Sequence, residues 1–368
     1  EACAYSWGPN DITGICYDGA CRDICPNVYT EIVTWGKPDG GGDSSTVNLS
    51  GGVTAITPSY DAFAAIKANG SVVTWGSSSY GADSSAVSAQ LSSDVTAVYS
   101  NRYAFAALKN NGSVITWGDS EKGGDSSGVD LSSGVKHIVT NVGSFAAIKT
   151  DGSVVTWGNS SWGGDSSGVD LSSGVTAVYS TLQAFAALKT NGSVVTWGKS
   201  SYGGNSSGVD LSSDVATVFS TDFSFAALKN NGSVVTWGAG VDNSSGVDLS
   251  SGVTNIYSSE LAFAALKTNG SVVTWGTASY GGDSSGVPLS SGVTAVYSTK
   301  KAFAALKNNG AVVTWGHSEY GGDSSAVDLS SGVTAVFSNE RAFAAIKTDG
   351  RFRRVVGQSR IRWGFIRH

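Results

Sequence analysis

The twelve residues ALKTNGSVVTWG occupy 187–198 and return unchanged at 265–276, with near copies through most of the chain. Cutting after each Asn-Gly or Asp-Gly pair yields eight units: 31–70, 71–112, 113–152, 153–192, 193–232, 233–270, 271–310 and 311–350. Their lengths stay between 38 and 42 residues. A period near forty with strand chemistry points to propeller blades rather than helical arrays. The runs GVTAVYS, AFAALK and SVVTWG are short and rich in Val, Ala, Phe and Trp, and Gly, Ser and Asn bound them. They lack the three-and-four spacing of an amphipathic helix, so each unit reads as a set of β-strands.

The Asn-Gly pair between AFAALK and SVVTWG is a hairpin signal, read here as a type I′ turn with positive φ at both central residues. One Trp per unit, beside small Ala and a Phe, suits sheets that taper and stack face to face around an axis, with the Trp in the core. Eight strands of the GVTAVYS type each precede an AFAALK strand, and only seven of those have a VVTWG strand in register downstream. The last, 342–347, lacks one, while EIVTWG at 31–36 has no strand before it. The expected fold is therefore an all-β, eight-bladed β-propeller, with seven blades as the alternative. Its ring would be closed by pairing 31–36 with 342–347, which removes two exposed edges.

Composition narrows the function classes. Charged residues are 14% of the chain, against about 25% in an average soluble domain. The net charge of −6 is modest, and the lysines are spread one per unit rather than gathered into a stripe, so no nucleic-acid partner is expected. No apolar run approaches the eighteen or so residues of a membrane span. Methionine is absent even at position 1, so the chain reads as a processed or partial product with no signal peptide left to read. Cys3, Cys16, Cys21 and Cys25 all lie in the first 25 residues. That spacing reads as a two-disulfide cap over 1–30 in an oxidising compartment, with a four-thiolate zinc site as the minority alternative. The expected location is extracellular or at the cell surface. The tail 351–368 carries six arginines and none of the repeat's Ser and Gly pattern. Codons can be chosen for it that, read one base later, restore the repeat, so we read it as out-of-frame translation.

Catalytic signatures are missing. There is no HExxH, P-loop, GxGxxG in a strand-to-helix context or GxSxG elbow, and the histidines are His137, His317 and His368. The expectation is no enzyme and no cofactor. GGDSS recurs with Asp43, Asp125, Asp165, Asp283 and Asp323, with Asp83 in GADSS and with Asn205 and Asn243 as substitutes. Free exchange with Asn argues for Asx turns rather than a calcium site, so no metal is expected. Lysines ending each AFAALK strand, Lys67 to Lys347, face the VDLSS aspartates Asp130, Asp170, Asp210, Asp248 and Asp328 in a ring of exposed pairs. Nine sequons, at Asn48, Asn69, Asn111, Asn159, Asn191, Asn205, Asn231, Asn243 and Asn269, make glycosylation an expectation contaminated by the turns' own need for Asn.

The stretches AALK-NGSVVTWG and SYGGDSSGV resemble the repeat of the regulator-of-chromosome-condensation family, over 31–350. The short units are more similar to the beta-lactamase inhibitory propeller of that superfamily than to its longer eukaryotic repeats. The resemblance implies a propeller, usually of seven blades. No unit has an insertion long enough for the wedge through which the nuclear exchange factor of that family acts on a small GTPase. The tryptophans of TWG also lack the neighbouring arginines that the family's UV-B photoreceptors use.

Between VYS and AFAA the near-identical units differ abruptly: Ser59 and Tyr60, Arg102 and Tyr103, Val142 and Gly143, Leu182 and Gln183, Asp222 and Phe223, Glu260 and Leu261, Lys300 and Lys301, Glu340 and Arg341. Strand reversal puts this loop opposite the Asn-Gly turns and beside the loop after TWG, which carries Tyr80, Trp162, Tyr202, Tyr280 and Tyr320, with Lys122 in one unit. Loops on a rigid frame collect binding residues, and Tyr, Trp and Arg are common anchors. Three readings follow. A secreted protein-binding scaffold would use Tyr60, Arg102, Tyr103, Leu182, Gln183, Asp222, Phe223, Glu260, Lys300, Lys301, Glu340 and Arg341. A glycan binder would stack sugars on the five loop aromatics. A structural extracellular component would need neither, and drift in exposed turns would then account for the variation.

Overall fold

The computed structural model describes residues 32–50 and 52–348. The cysteine-rich segment 1–30, its four cysteines, and the tail 351–368 lie outside the described residues. Within them the chain is all-β apart from single 3₁₀ turns. It forms seven three-stranded antiparallel sheets and one two-stranded sheet, each built from strands consecutive in sequence. We number the sheets one to eight, spanning 53–76, 95–118, 135–158, 175–198, 215–238, 253–276, 293–316 and 333–347. GVTAVYS supplies the first strand, AFAALK the middle strand and VVTWG the third. This repetition fits a β-propeller.

The middle strand explains the repeat's most constant letters. In sheet two, Ala104, Phe105, Ala106 and Ala107 are wholly buried, because this strand is covered on both faces by neighbouring sheets. Side chains alternate across a strand, so Ala62, Ala64 and Ile66 of sheet one point the small face toward Phe105, Ala107 and Trp117 of sheet two. The same small-against-large contact joins sheet two to sheet three, through Ala104, Ala106 and Leu108 against Phe145 and Trp157. The core is thus a series of layers between sheets. Within each three-stranded sheet Phe and Trp lie opposite each other, as in Phe105↔Trp117, whose rings stack at 5.3 Å.

A polar latch secures six of the sheets to the loop before them. The indole Nε1 of Trp75, Trp117, Trp157, Trp197, Trp237 and Trp315 donates to the carbonyl of Gly41, Gly81, Gly123, Gly163, Gly203 and Gly281, in the loop that precedes each sheet. That glycine has no tolerable substitute. Gly81 sits at φ +95°, and a Cβ there would lie 2.6 Å from the ring of Phe105. In GGDSS, the Asp carboxylate accepts from the backbone of the second Ser, and the first Ser bonds the Thr of TWG, as in Asp125 with Ser127 and Thr116 with Ser126 at 2.9 Å. These carboxylates close Asx turns. Lys149, Lys189, Lys229, Lys267 and Lys347 pair with Asp130, Asp170, Asp210, Asp248 and Asp328 as the spacing predicts.

Two expectations need correction. The hairpin is not type I′: Lys67 carbonyl accepts from Gly70, Lys67 N–H donates to Ser71, and only Gly70 of the turn has positive φ. This is a three-residue loop, a type I turn followed by a left-handed glycine. Asn69 serves by accepting from the backbone and hydroxyl of Ser71 instead. The expected closure is also not made. Residues 32–36 pair with no strand, Trp35 is 83% exposed, and the Phe343–Lys347 strand of sheet eight has only Val333–Ser338 beside it among the described residues. The ring is therefore not shown closed, and eight stands as a count of sheets, the eighth incomplete.

Candidate functional site at the variable face

The first residue of each variable pair occupies one place in the fold, and in the first unit the hydrogen bonds correct the expected pair from Ser59 and Tyr60 to Tyr60 and Asp61, because Tyr60 holds the place of Arg102 and Ser59 that of Asn101. Tyr60 N–H donates to Arg102 carbonyl, Arg102 to Val142, Val142 to Leu182, Leu182 to Asp222, Asp222 to Glu260, Glu260 to Lys300 and Lys300 to Glu340, at 2.9–3.4 Å. Main chain alone makes these links, so any residue that keeps its backbone N–H fits. That is the physical reason the sequence can vary here while everything around it repeats. All eight side chains border a single hollow of about 870 Å³, with the ends of the first strands forming its wall. Equivalent residues of every unit thus surround one common axis.

The lining is chemically uneven. Arg102 lies over the ring of Tyr60 at 3.8 Å. Val142 and Leu182 follow as an apolar stretch, then the carboxylates of Asp222 and Glu260, then Lys300, paired with Glu340 at 3.7 Å. Partial burial, reinforced by the neighbouring Glu260 charge and opposed by Lys300, pushes the Asp222 carboxyl up to about 6.

The second residue of each pair turns away from the axis and meets the loop after TWG. Tyr103 stacks on Tyr80 at 5.6 Å, and Phe223 stacks on Tyr202 at 4.6 Å. Lys301 reaches over both Tyr280 and Tyr320, at 4.8 and 5.0 Å, and Arg341 approaches Tyr320 at 5.8 Å. Trp162 carries Lys122 over its ring at 5.3 Å. A Cβ on Gly143 would lie 2.8 Å from the same indole, so the largest loop aromatic faces the residue with no side chain. Gln183 buries an amide oxygen that has no hydrogen-bond partner among the described residues. The structure therefore brings the two variable loop sets onto one face, as their spacing predicts. All five loop aromatics are half-buried, and each has a ring or cationic side chain against it.

One set of residues escaped the sequence reading. The position before each variable pair is always Ser, Thr or Asn, and in most units it ties the two loops together. Ser59, Asn101, Thr181, Ser259 and Thr299 donate to the carbonyls of Tyr80, Lys122, Tyr202, Tyr280 and Tyr320 at 2.6–3.0 Å. Its restriction to small hydrogen-bonding residues was the available signal. His137 and His317 are not brought together. The first lies on sheet three, edge-on to Tyr99, and the second follows sheet seven, edge-on to Tyr320.

No family model matches the chain, and no curated protein matches it in sequence. Among solved structures it is similar to Prp20p from Saccharomyces cerevisiae, at 14% identity and a TM-score of 0.37, over 81% of this chain and 77% of that one. It is similar to the ectodomain of the Physcomitrella patens receptor kinase CR4, at 14% identity and TM-score 0.37, over 75% and 72%. The ectodomain of the Arabidopsis thaliana receptor kinase ACR4 follows, at 16% identity and TM-score 0.35, over 61% and 81%.

Proposed function

We propose that this protein is a non-catalytic scaffold that binds a protein partner through the variable face. The observation that carries the reading is the axial chain of main-chain hydrogen bonds, which holds eight dissimilar side chains around one hollow. A frame that fixes position without restricting chemistry suits recognition of an irregular macromolecular surface. Arg102, Asp222, Glu260 and Lys300 provide charges of both signs there, and charged complementarity sets partner choice more than raw affinity. The glycan reading is the weaker one, since Tyr80, Trp162, Tyr202, Tyr280 and Tyr320 are half-buried and each already has a neighbouring side chain against its ring. Secretion rests on the four cysteines alone, and a mass difference between reduced and non-reduced secreted chain is its test.

The experiment is affinity capture with cross-linking from the native source, comparing the wild type with an Arg102→Ala, Asp222→Ala, Lys300→Ala triple variant of unchanged circular dichroism. Loss of specific partners from the variant is expected. An identical partner set overturns the reading, and binding to a glycan array that depends on Tyr202 or Trp162 would replace it with the lectin.

A further inference from the structure

Segment 32–36 repeats the sequence of a third strand but belongs to no sheet among the described residues. It aligns letter for letter with 312–316, as Ile-Val-Thr-Trp-Gly against Val-Val-Thr-Trp-Gly. Thr34 Oγ1 bonds Ser44 Oγ at 2.9 Å, the same bond as Thr314 to Ser324. Gly36 has φ +111°, matching the +102° of Gly316 at the end of the third strand in sheet seven. The loop that follows is already seated on sheet one, where Gly41 packs on Phe63 and accepts from Trp75. Only the strand itself is unpaired, with Val33 66% and Trp35 83% exposed.

Sheet eight has the complementary gap. Beside its middle strand lies a hollow of about 430 Å³ bordered by Val312, Gly321, Leu329, Val336 and Phe343. In sheet seven the corresponding place holds Trp315, stacked on Phe303 and donating to Gly281. At sheet eight, Gly321 lies against Phe343 in the same way, and among the described residues no indole reaches it. Ile346 and Phe337 are left 55% and 58% exposed.

We propose that segment 32–36 of a second copy adds to this edge, placing its Trp35 on Phe343 and its N–H on the Gly321 carbonyl. Each chain carries one such strand and one such gap, and the described residues of the lone chain leave both unburied, so copy-to-copy exchange satisfies both. The register follows from sheet seven, where Ala305 faces Val313. Val33 of one copy therefore faces Ala345 of the other.

A Val33→Cys copy with one tag and an Ala345→Cys copy with another, mixed and oxidised, test the pairing, with linkages mapped by mass spectrometry. A 33-to-345 bond between differently tagged chains is expected, together with a light-scattering mass above that of a single chain. Trp35→Ala, which alters an exposed side chain, should weaken association at least about tenfold with an unchanged circular dichroism spectrum. Three results overturn the proposal: a single-chain mass at the highest soluble concentration, association insensitive to Trp35→Ala, or a 33-to-345 bond found only within one chain of the double variant.

Discussion

The indole of Trp117 donates to the carbonyl of Gly81, 2.9 Å away, across the boundary between sheets one and two. Trp275, at the equivalent place in sheet six, finds no acceptor for its wholly buried Nε1 among the described residues. The loop before sheet six is the shortened one, where Val241 packs into the layer and the latching glycine is missing. Trp117→Phe removes packing and orphans the Gly81 carbonyl, whereas Trp275→Phe removes packing and also an unsatisfied donor. Urea unfolding should show Trp275→Phe to be the milder change by about 1–2 kcal/mol.

Glycines and asparagines of the hairpin should respond differently. Gly112 has φ +78° and a Cβ there would lie 2.8 Å from the backbone of Gly134. Gly112→Ala should therefore destabilise by about 1–3 kcal/mol. Asn111→Asp should be nearly neutral by thermal melting, because Asp151 already makes the same bonds to Ser153 that Asn111 makes to Ser113.

This contrast shows how much of the fold was legible. Repeat length, strand order and the seven-plus-one bookkeeping follow from the letters, because alternation of Ala and Phe fixes which face each residue takes. The turn type did not, because Asn-Gly suits two turn classes and the choice depends on how many residues leave the ladder between Lys109 and Ser113. Closure failed for a different reason. Matching Trp35 to Phe343 establishes complementarity of two ends, and complementarity does not establish which chain supplies them.

The site was legible as two variable loops, and their convergence followed from strand reversal. What stayed hidden was the division of labour within each pair, axial for Asp222 and outward for Phe223. Adjacent letters carry no mark of which one faces the axis, and Asn101 or Thr181 bridging to the next loop looks like ordinary loop polarity.

Asp222 makes a pH prediction. Its carboxyl titrates at about 6 in the fold against about 3.9 in an unfolded chain, so the fold binds the proton more tightly. Its contribution is most favourable below about pH 4, declines as pH rises toward 6, and is constant above. Glu260 and Lys300 are the charges that face it. Asp222→Asn should flatten that decline and, with the half-exposure discounted, make the protein more stable than wild type at pH 7 by about 1 kcal/mol. Denaturant titrations at pH 4 and pH 7 give the difference directly, and a variant less stable than wild type at pH 7 contradicts the assignment.

Position 182 tests whether chemistry and frame are separable. Leu182 N–H donates to Asp222 and its carbonyl accepts from Val142, both through main chain. Leu182→Ala should leave the melting temperature within a degree or two, while Leu182→Pro removes a donor from the axial chain and should lower it by several degrees. Equal effects from the two substitutions would show that the side chain, not the amide, holds the place.

The axial hydrogen bonds make the mouth of the hollow inextensible along seven of its steps, from Tyr60 to Glu340. Among the described residues no amide of sheet eight returns to Tyr60, so compliance is concentrated at that one seam. If the proposed partner enters the hollow, any widening it demands falls between sheets one and eight, and girth would count in selection before any side chain is read.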